Sequence, residues 1–378
     1  IFSTNIITNC FNCNLYKRQG FCKLRKRFVG ETYFVHKTRK TFGGYMKQLI
    51  GAALTAGALL SGAQAFAADC GKVVIGEMNW ASGEFLARLD GFIMSEGYQC
   101  DVEYLTAGTM PQITSMTEKG TPDIASELWA NAAAVAIDAA VAEKRLTKLN
   151  PSPISGAGEG WMMSAAAAAA HPELQTIDDI IARPDLFPHP EDPSKGGLHT
   201  CPPGWGCQLA TANLFRAFDM EAKGWKLVET GSGAGLDGSI AKASERKENW
   251  LGYYWAPTTF AGKYNLKLVD FNSGFDQDNW DKCIVLPVED CESPKRSTWT
   301  KSEVVSLAQG DFEDRAPGAA AYVASRSFES SLLNKYLTYM NDNQASGEEA
   351  AIEFILNEEA SWSKWVSEDA AKRIKKAL

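Results

Sequence analysis

Predicted strands and helices alternate along most of the 378-residue chain, and this alternation limits the possible folds more than any other feature. Lys72–Met78 is a mostly apolar run typical of a buried strand, and a helical pattern follows it at about 84–96. Further strands are predicted at 100–105, 123–127, 156–163, 226–229 and 250–255, and helices at 110–119, 130–143, 176–181, 209–217, 239–248, 327–340, 347–356 and 368–376. Strands that alternate with helices form a parallel, doubly wound sheet. At roughly 100–200 residues per domain, the chain is long enough for more than one such unit, so the sequence predicts two doubly wound α/β lobes.

Residues 46–67 have the three parts of a secretory signal peptide. Lys47 supplies the positive start, 49–60 form an apolar segment of 12 residues, and 65–67 (AFA) have the form of a cleavage site. A membrane anchor is the alternative, but so short an apolar segment cannot cross a hydrocarbon layer of ~30 Å. The sequence therefore predicts export to the periplasm, with 1–45 as an upstream translated segment outside the mature protein.

The mature chain that this cleavage would leave is strongly acidic. The full chain has a net charge of −8, but 1–45 carry nine basic side chains against one acidic side chain, and Lys47 adds one more positive charge. Without 1–67 the net charge is −17 over 311 residues. Such a charge disfavours contact with phosphate backbones and anionic lipids. Nucleic acid and anionic membrane surfaces are therefore excluded as partners.

Six cysteines remain after residue 67, an even number that is typical of disulfide-bonded exported proteins. They are Cys70, Cys100, Cys201, Cys207, Cys283 and Cys291. Cys201 and Cys207 form one pair that is close in sequence, Cys283 and Cys291 form another, and Cys70 is then left for Cys100. The pairing beyond Cys201–Cys207 stays open at this point. No Cys-x2-Cys pair occurs in 68–378, so no zinc site is expected.

Tryptophans stand at the ends of predicted strands in several separate segments. Trp80, Trp129 and Trp255 come directly after predicted strands, and Trp205 lies in a Pro-Pro-Gly-Trp-Gly-Cys turn. Ligands of open α/β sheets bind at the carboxyl ends of the strands. We therefore expect these four rings to meet in one cleft, and the alternative is that each ring packs in a hydrophobic core.

A cluster of indole rings suits the recognition of a methylated ammonium group. Such a group cannot donate hydrogen bonds, so a protein holds it by cation–π attraction and close apolar contact. Each desolvated ring contributes on the order of 2 kcal/mol. After the cost of association, four rings are compatible with roughly micromolar affinity. The sequence thus predicts a site for a small methylated ammonium compound.

At these residues the chain resembles the glycine betaine and choline solute-binding proteins of osmoprotectant ABC importers. The segments that carry the resemblance are 201–207 (CPPGWGC), 128–130 (LWA), 254–257 (YWAP) and 79–80 (NW). The first is similar to the family's Cys-x-Pro-Gly-Trp-Gly-Cys turn, and the others are similar to its further Trp turns. The resemblance implies a type II periplasmic binding protein fold, with two lobes around a cleft. We expect 68–158 plus 312–378 in one lobe and 159–311 in the other.

The resemblance also implies roles for individual residues. The walls of the cage would be Trp80, Trp129, Trp205 and Trp255. The backbone N–H groups of Gly206 and Cys207 would donate hydrogen bonds to the ligand. In the glycine betaine binders, a His four residues after the equivalent of Trp129 grips the ligand carboxylate, whereas this chain has Ala133. This departure favours a compact ligand with little or no carboxylate, trimethylamine N-oxide or choline.

Carboxylates near these segments are candidates for attracting a positively charged ligand. Glu127 and Glu84 each lie close to a cage tryptophan, and Glu159 precedes Trp161 by two residues. Glu84 is better explained as an acid at a helix N-terminus, where the helix dipole favours negative charge. Glu159 is the preferred ligand-binding carboxylate because 159–161 are expected where the chain crosses between lobes. Trp161 would then be an accessory wall of the cage.

Other functions have weaker support in the sequence. The glycine-rich segment 231–235 lies between a strand and a helix, but the strand after it ends without the acid that a ribose requires. Asp276, Asp278 and Asp281 lack the spacing of an EF-hand, and a polar surface loop explains them better. A secreted α/β enzyme acting on a small amine or nucleotide-like substrate is the alternative, but no His of 68–378 stands beside a nucleophile.

The sequence therefore predicts a periplasmic binding protein rather than an enzyme, with no metal and no cofactor. The resemblance implies a monomer that closes over a methylated amine or betaine. It also implies an ABC permease and its ATPase subunits as the partners that receive the ligand.

Overall fold

The computed structural model describes residues 70–378, so 1–45 and the predicted signal peptide 46–67 lie outside the described part of the chain. Within that part, ten strands form two five-stranded sheets. The strands are β1 (Lys72–Met78), β2 (Asp101–Ala107), β3 (Ile124–Trp129), β4 (Leu146–Asn150), β5 (Gly158–Met163), β6 (Gly196–His199), β7 (Trp225–Val228), β8 (Leu251–Ala256), β9 (Lys267–Leu268) and β10 (Val304–Gln309).

Helices connect most of these strands and cover the sheets. They are α1 (Ala81–Phe92), α2 (Thr109–Lys119), α3 (Ala134–Ala142), α4 (Ala165–Ala170), α5 (Ile177–Ile181), α6 (Gly206–Ala217), α7 (Gly233–Arg246), α8 (Thr259–Tyr264), α9 (Gln277–Asn279), α10 (Phe312–Arg315), α11 (Pro317–Ser325), α12 (Ser330–Asn343), α13 (Gly347–Asn357), α14 (Glu359–Trp362) and α15 (Glu368–Ala377). Between residues 70 and 378, no helix is long and apolar enough to cross a membrane.

The first sheet has the strand order β2-β1-β3-β10-β4. β1 pairs in parallel with both β2 and β3, whereas β10 runs antiparallel to its neighbours β3 and β4. β1 is almost wholly buried because it lies inside the sheet, and β2 alternates between exposed and half-buried residues because it forms an edge. The carboxyl ends of β1 and β3 therefore point to the same side of the sheet.

The second sheet repeats this plan with the order β7-β6-β8-β5-β9. β6 pairs in parallel with β7 and β8, and β5 runs antiparallel to β8 over six residues, from Gly158 opposite Ala256 to Met163 opposite Leu251. The predicted α/β class is confirmed, but each sheet contains reversed strands in addition to the parallel ones that the alternation predicts.

The chain enters the second sheet between β4 and β5 and returns to the first sheet at β10. We call the residues around the first sheet (70–157 and 304–378) the first lobe, and 158–303 the second lobe. The expectation that 159–311 form the second lobe is wrong for 304–309, because β10 lies between β3 and β4 in the first sheet. All six β10 residues are buried, as in a strand covered on both faces.

Three disulfides join the six cysteines of this part of the chain. Cys201 pairs with Cys207 and Cys283 with Cys291, as their closeness in sequence indicates. Cys70 pairs with Cys100 and ties the start of β1 to the start of its neighbour β2. β6, at Gly196–His199, is a strand that the sequence pattern did not predict.

Candidate functional site

Four tryptophans from four separate segments line one small cavity between the two lobes, with a volume of about 30 Å³. Trp80 lies two residues after β1, Trp129 is the last residue of β3, and Trp255 is the last residue but one of β8. Trp205 directly precedes α6 and has an extended backbone. The structure thus brings together the rings expected at the strand ends.

Trp205 connects the rings of the two lobes. Its ring centroid lies 5.1 Å from that of Trp80 and 5.3 Å from that of Trp255, at interplanar angles of 70° and 76°. These are edge-to-face arrangements, which aromatic pairs prefer over face-to-face stacking. The Trp205 Nε1 group also donates a hydrogen bond of 2.7 Å to Asn79 Oδ1 of the first lobe. Trp205 therefore contacts the first lobe through both its ring and its polar atom.

Glu127 fixes the positions of the Trp80 and Trp129 rings of the first lobe by hydrogen bonds. Its Oε1 atom accepts hydrogen bonds from Trp80 Nε1 at 2.9 Å, from Trp129 Nε1 at 2.8 Å and from Ser82 Oγ at 2.9 Å. Glu127 is fully buried, and burial raises the pKa of its carboxyl, while these hydrogen bonds act in the opposite direction. It does not line the cavity, so its role is to orient the rings rather than to touch a ligand.

Glu159 supplies a carboxyl group to the cavity itself. Its two oxygens accept hydrogen bonds from Asn131 Nδ2 at 2.6 Å and Tyr253 Oη at 2.7 Å. Burial raises the pKa of Glu159 to about 7, against the lowering effect of these hydrogen bonds. The carboxyl can therefore exist in either protonation state near neutral pH.

The structure does not bring Trp161 to the cavity, so its expected role as an accessory wall is wrong. β5 runs opposite to β8, so Glu159 lies near the end of β8 and Trp161 lies two residues deeper in the sheet. The ring is fully buried in the core of the second lobe, 5.1 Å from the ring of Phe271. Its Nε1 group donates to Thr211 Oγ1 at 3.3 Å.

Several residues that line the cavity were not expected from the sequence. They are Thr109, Asn131, Ala132, Ala210, Tyr253, Trp280 and Trp299. Tyr253 could have been identified from the sequence, because it precedes Trp255 by two residues. Side chains two residues apart on a strand point to the same face. Trp280 and Trp299 had none, because they lie in the loop-rich segment after β9 and follow no predicted strand.

Backbone and indole donors provide the polar part of the cavity wall. Gly206 and Cys207 line the cavity as the first two residues of α6, and N–H groups at this position of a helix have no acceptor within it. The Nε1 group of Trp255 is buried and has no hydrogen-bond partner among the described residues. The cavity thus combines apolar walls with donors for one acceptor group.

Residues 71–357 match the family described as the substrate-binding domain of ABC-type glycine betaine transport systems. The chain belongs to this family. It is therefore a solute-binding protein of an ABC importer and not an enzyme. Members of the family bind small quaternary amines on the outer side of the membrane and work together with ABC transporter components.

Solved structures share the fold of this binding domain at low sequence identity. The glycine betaine/L-proline-binding protein of Borrelia burgdorferi is 16% identical with a TM-score of 0.62, over 80% of this chain and 99% of that chain. A choline-binding protein of an ABC transporter, solved with choline, is 17% identical with a TM-score of 0.63, over 82% and 98%. A lactococcal glycine betaine complex in its closed form is 18% identical with a TM-score of 0.57, over 78% and 99%. No curated protein sequence matches the chain.

The three aspartates 276, 278 and 281 of the binding domain have protein partners instead of a shared site. Asp276 caps the backbone N–H of Asn279 at 3.1 Å, and Asp278 forms an ion pair with Lys282 at 3.1 Å. Asp281 accepts from the side chain of Gln277. Across residues 70–378, no group of three or more His, Cys, Asp or Glu side chains is placed to hold a metal ion.

The lobes of the binding domain meet closely at Gly206, and this contact leads to a prediction. A Cβ atom at Gly206 would lie 2.4 Å from the Cβ of Ala132 in the first lobe, which is too close for real atoms. Gly206→Ala should therefore oppose lobe closure and weaken ligand binding by about tenfold, since overpacking costs about 1–3 kcal/mol. Isothermal titration calorimetry of the purified variant and of the unchanged protein, with a ligand that the unchanged protein binds, measures this loss.

Gly238→Ala is the matched control, because a Cβ at that position in α7 would meet no atom within 4 Å. It should bind as the unchanged protein does. Equal affinities of the two variants would show that the Gly206 contact does not limit closure. Without ligand, neither variant should unfold at a lower temperature than the unchanged protein, because open lobes avoid the Gly206 clash and Ala is a better helix former than Gly.

Proposed function

We propose that this chain is the periplasmic receptor of an ABC importer for a compact trimethylated ammonium compound of the trimethylamine N-oxide or choline type. Two lobes would close over the ligand, and the closed receptor, a monomer, would deliver it to a membrane permease that ATPase subunits power. The observation that carries this proposal is the convergence of Trp80, Trp129, Trp205 and Trp255 on one small cavity. Indole faces attract a methylated ammonium group that cannot donate hydrogen bonds.

The charge of the cavity supports a ligand with little or no carboxylate. None of the described residues that line it is Lys, Arg or His, and Glu159 is the one carboxylic acid among them. A full carboxylate would lack a cationic partner there and would lie near Glu159. One N-oxide or hydroxyl oxygen would instead find donors in Gly206, Cys207 and the free indole N–H of Trp255.

Titration of the intrinsic tryptophan fluorescence tests this proposal. Trimethylamine N-oxide, choline, glycine betaine and dimethylsulfoniopropionate are added in turn to the purified protein, with proline and glucose as controls. Trimethylamine N-oxide or choline should perturb the emission at roughly micromolar concentration, and glycine betaine should bind about tenfold more weakly. A response to an amino acid or sugar, with none to the four methylated compounds, would overturn the assignment.

A further inference from the structure

A segment after β9 contributes two more rings to the cavity, and it continues α9 as a helical turn over Trp280–Ile284 before it becomes largely irregular. We call residues 279–299 the cap. Trp280 and Trp299 are the cap residues that line the cavity, and their ring centroids lie 5.7 Å apart in an edge-to-face arrangement. Both rings are buried. A buried aromatic pair at a ligand cavity requires a segment that is held firmly in place.

Helix α6 of the second lobe holds the cap by its backbone. The Asn213 side chain donates to the carbonyl oxygens of Cys283, Ile284 and Leu286 at 3.1, 3.1 and 2.8 Å. One turn further along the helix, Arg216 Nη1 donates to the carbonyl oxygen of Cys291 at 2.8 Å. Because α6 also carries Gly206 and Cys207 at its start, the cap and the polar donors of the cavity belong to one rigid unit.

Covalent and hydrogen bonds within the cap also join its two ends. The disulfide between Cys283 and Cys291 joins its two sides. Near its ends, Asn279 Nδ2 donates to the Lys295 carbonyl oxygen at 3.0 Å, and the Lys295 N–H donates to Asn279 Oδ1 at 3.1 Å. These links restrict Trp280, and the Thr298 N–H, which donates to the Gly274 carbonyl oxygen at 3.3 Å, restrains the chain beside Trp299. Both rings therefore have little freedom to move aside for a larger ligand.

The cap rings meet the remaining walls of the cavity on both sides. Trp280 Nε1 donates to the carbonyl oxygen of Asn131 in the first lobe at 3.3 Å. The Trp299 ring lies 5.4 Å from the ring of Tyr253, which lines the cavity beside Trp255. The cap rings therefore contact both lobes at the cavity.

We infer that the cap is a size filter, and that Trp280 and Trp299 are specificity-determining residues that restrict the substituents on the ligand nitrogen to methyl groups. This inference rests on the proposed function, because it presupposes an ammonium group in the cage. A rigid wall disfavours each added methylene, and a single methylene in an apolar pocket changes affinity by about 10–200-fold. Wider groups should therefore bind more tightly when a cap ring is removed.

Two symmetric cations test the size filter without reference to the natural ligand. Tetramethylammonium and tetraethylammonium chlorides are titrated calorimetrically into the unchanged protein and into Trp299→Ala and Trp299→Phe. The unchanged protein should prefer the methyl compound by about 30-fold or more. Trp299→Ala should reduce that preference by about tenfold, mainly through tighter binding of the ethyl compound, and Trp299→Phe should lie between them.

Two further variants separate the filter from general loosening. Trp225→Phe changes a buried tryptophan of the second lobe that does not line the cavity, and its preference should equal that of the unchanged protein. Asn213→Ala removes the side chain that anchors the cap and does not itself contact the ligand. It should also reduce the preference for the methyl compound, and it provides a test of the filter if Trp299→Ala does not fold. If the unchanged protein binds neither cation, the proposed function fails together with the filter. If it binds them and the Trp299 and Asn213 variants keep the same preference, only the filter is overturned.

Discussion

Replacement of Trp205 by Ala should lower the affinity for a trimethylammonium ligand by at least about 100-fold. The ring supplies one wall of the cage, worth about 2 kcal/mol when desolvated. It also makes two edge-to-face contacts, worth about 0.5–1.5 kcal/mol each, and a hydrogen bond to Asn79 across the lobes. A loss of about 3 kcal/mol or more corresponds to this change in affinity. Isothermal titration calorimetry of both proteins with the same ligand measures it.

Two variants divide the effect of Trp205 into its parts. Trp205→Phe keeps an aromatic wall and removes the N–H donor, and it should cost about tenfold. Asn79→Ala removes only the acceptor of the interlobe hydrogen bond and should cost about fivefold. If Trp205→Ala binds within about threefold of the unchanged protein, the ring does not form part of the ligand cage.

The meeting of Trp80, Trp129 and Trp255 follows from a general rule and could be predicted from the sequence. Parallel strands place their carboxyl ends at one edge of a sheet, so Trp80 and Trp129 share an edge once β1 and β3 are identified. Trp255 occupies the matching edge of the second sheet. The turn containing Trp205 was recognisable by its cysteines and prolines.

The parts that could not be predicted depend on strand direction and on tertiary anchors. Nothing in the local sequence shows that β5 runs opposite to β8, which decides that Glu159 faces the cavity while Trp161 lies in the core. In the same way, the local sequence of β10 shows only a short apolar segment. Its place between β3 and β4 depends on where the chain returns from the second sheet to the first. Trp280 reaches the cavity because Asn213 holds the cap some 70 residues further along the chain.

Choline should bind about tenfold more tightly at pH 8 than at pH 6. The pKa of Glu159 is raised to about 7 by burial, so the carboxyl of the free protein is mostly neutral at pH 6 and mostly ionised at pH 8. A permanent cation in the cavity favours the ionised form by Coulomb attraction. Its affinity therefore rises with pH through the pKa of the free protein, by about tenfold over two pH units if only the ionised form binds. Titrations in matched buffers measure the slope.

Glu159→Gln tests whether Glu159 causes this pH dependence of choline affinity. It should remove the pH dependence and weaken choline binding at pH 8 by about 30-fold, since a close charge pair is lost. Asp237 is the control, because burial raises its pKa to about 6 and its carboxylate accepts from Tyr254 Oη at 2.6 Å. It does not line the cavity, so Asp237→Asn should keep the slope. A slope that persists in Glu159→Gln would exclude Glu159 as its source.

The sign of the slope also distinguishes the two favoured ligands. Trimethylamine N-oxide has no net charge, and its oxygen is a strong hydrogen-bond acceptor. Glu159 lines the same cavity as the N–H donors of Gly206, Cys207 and Trp255 that would hold this oxygen. The neutral carboxyl adds a further hydrogen bond to the oxygen, whereas the ionised carboxyl repels it. Its affinity should therefore fall as the pH rises from 6 to 8, opposite to that of choline. The same group thus attracts a cation above its pKa and receives an N-oxide below it, so ambient pH would determine which of these two ligands the receptor prefers.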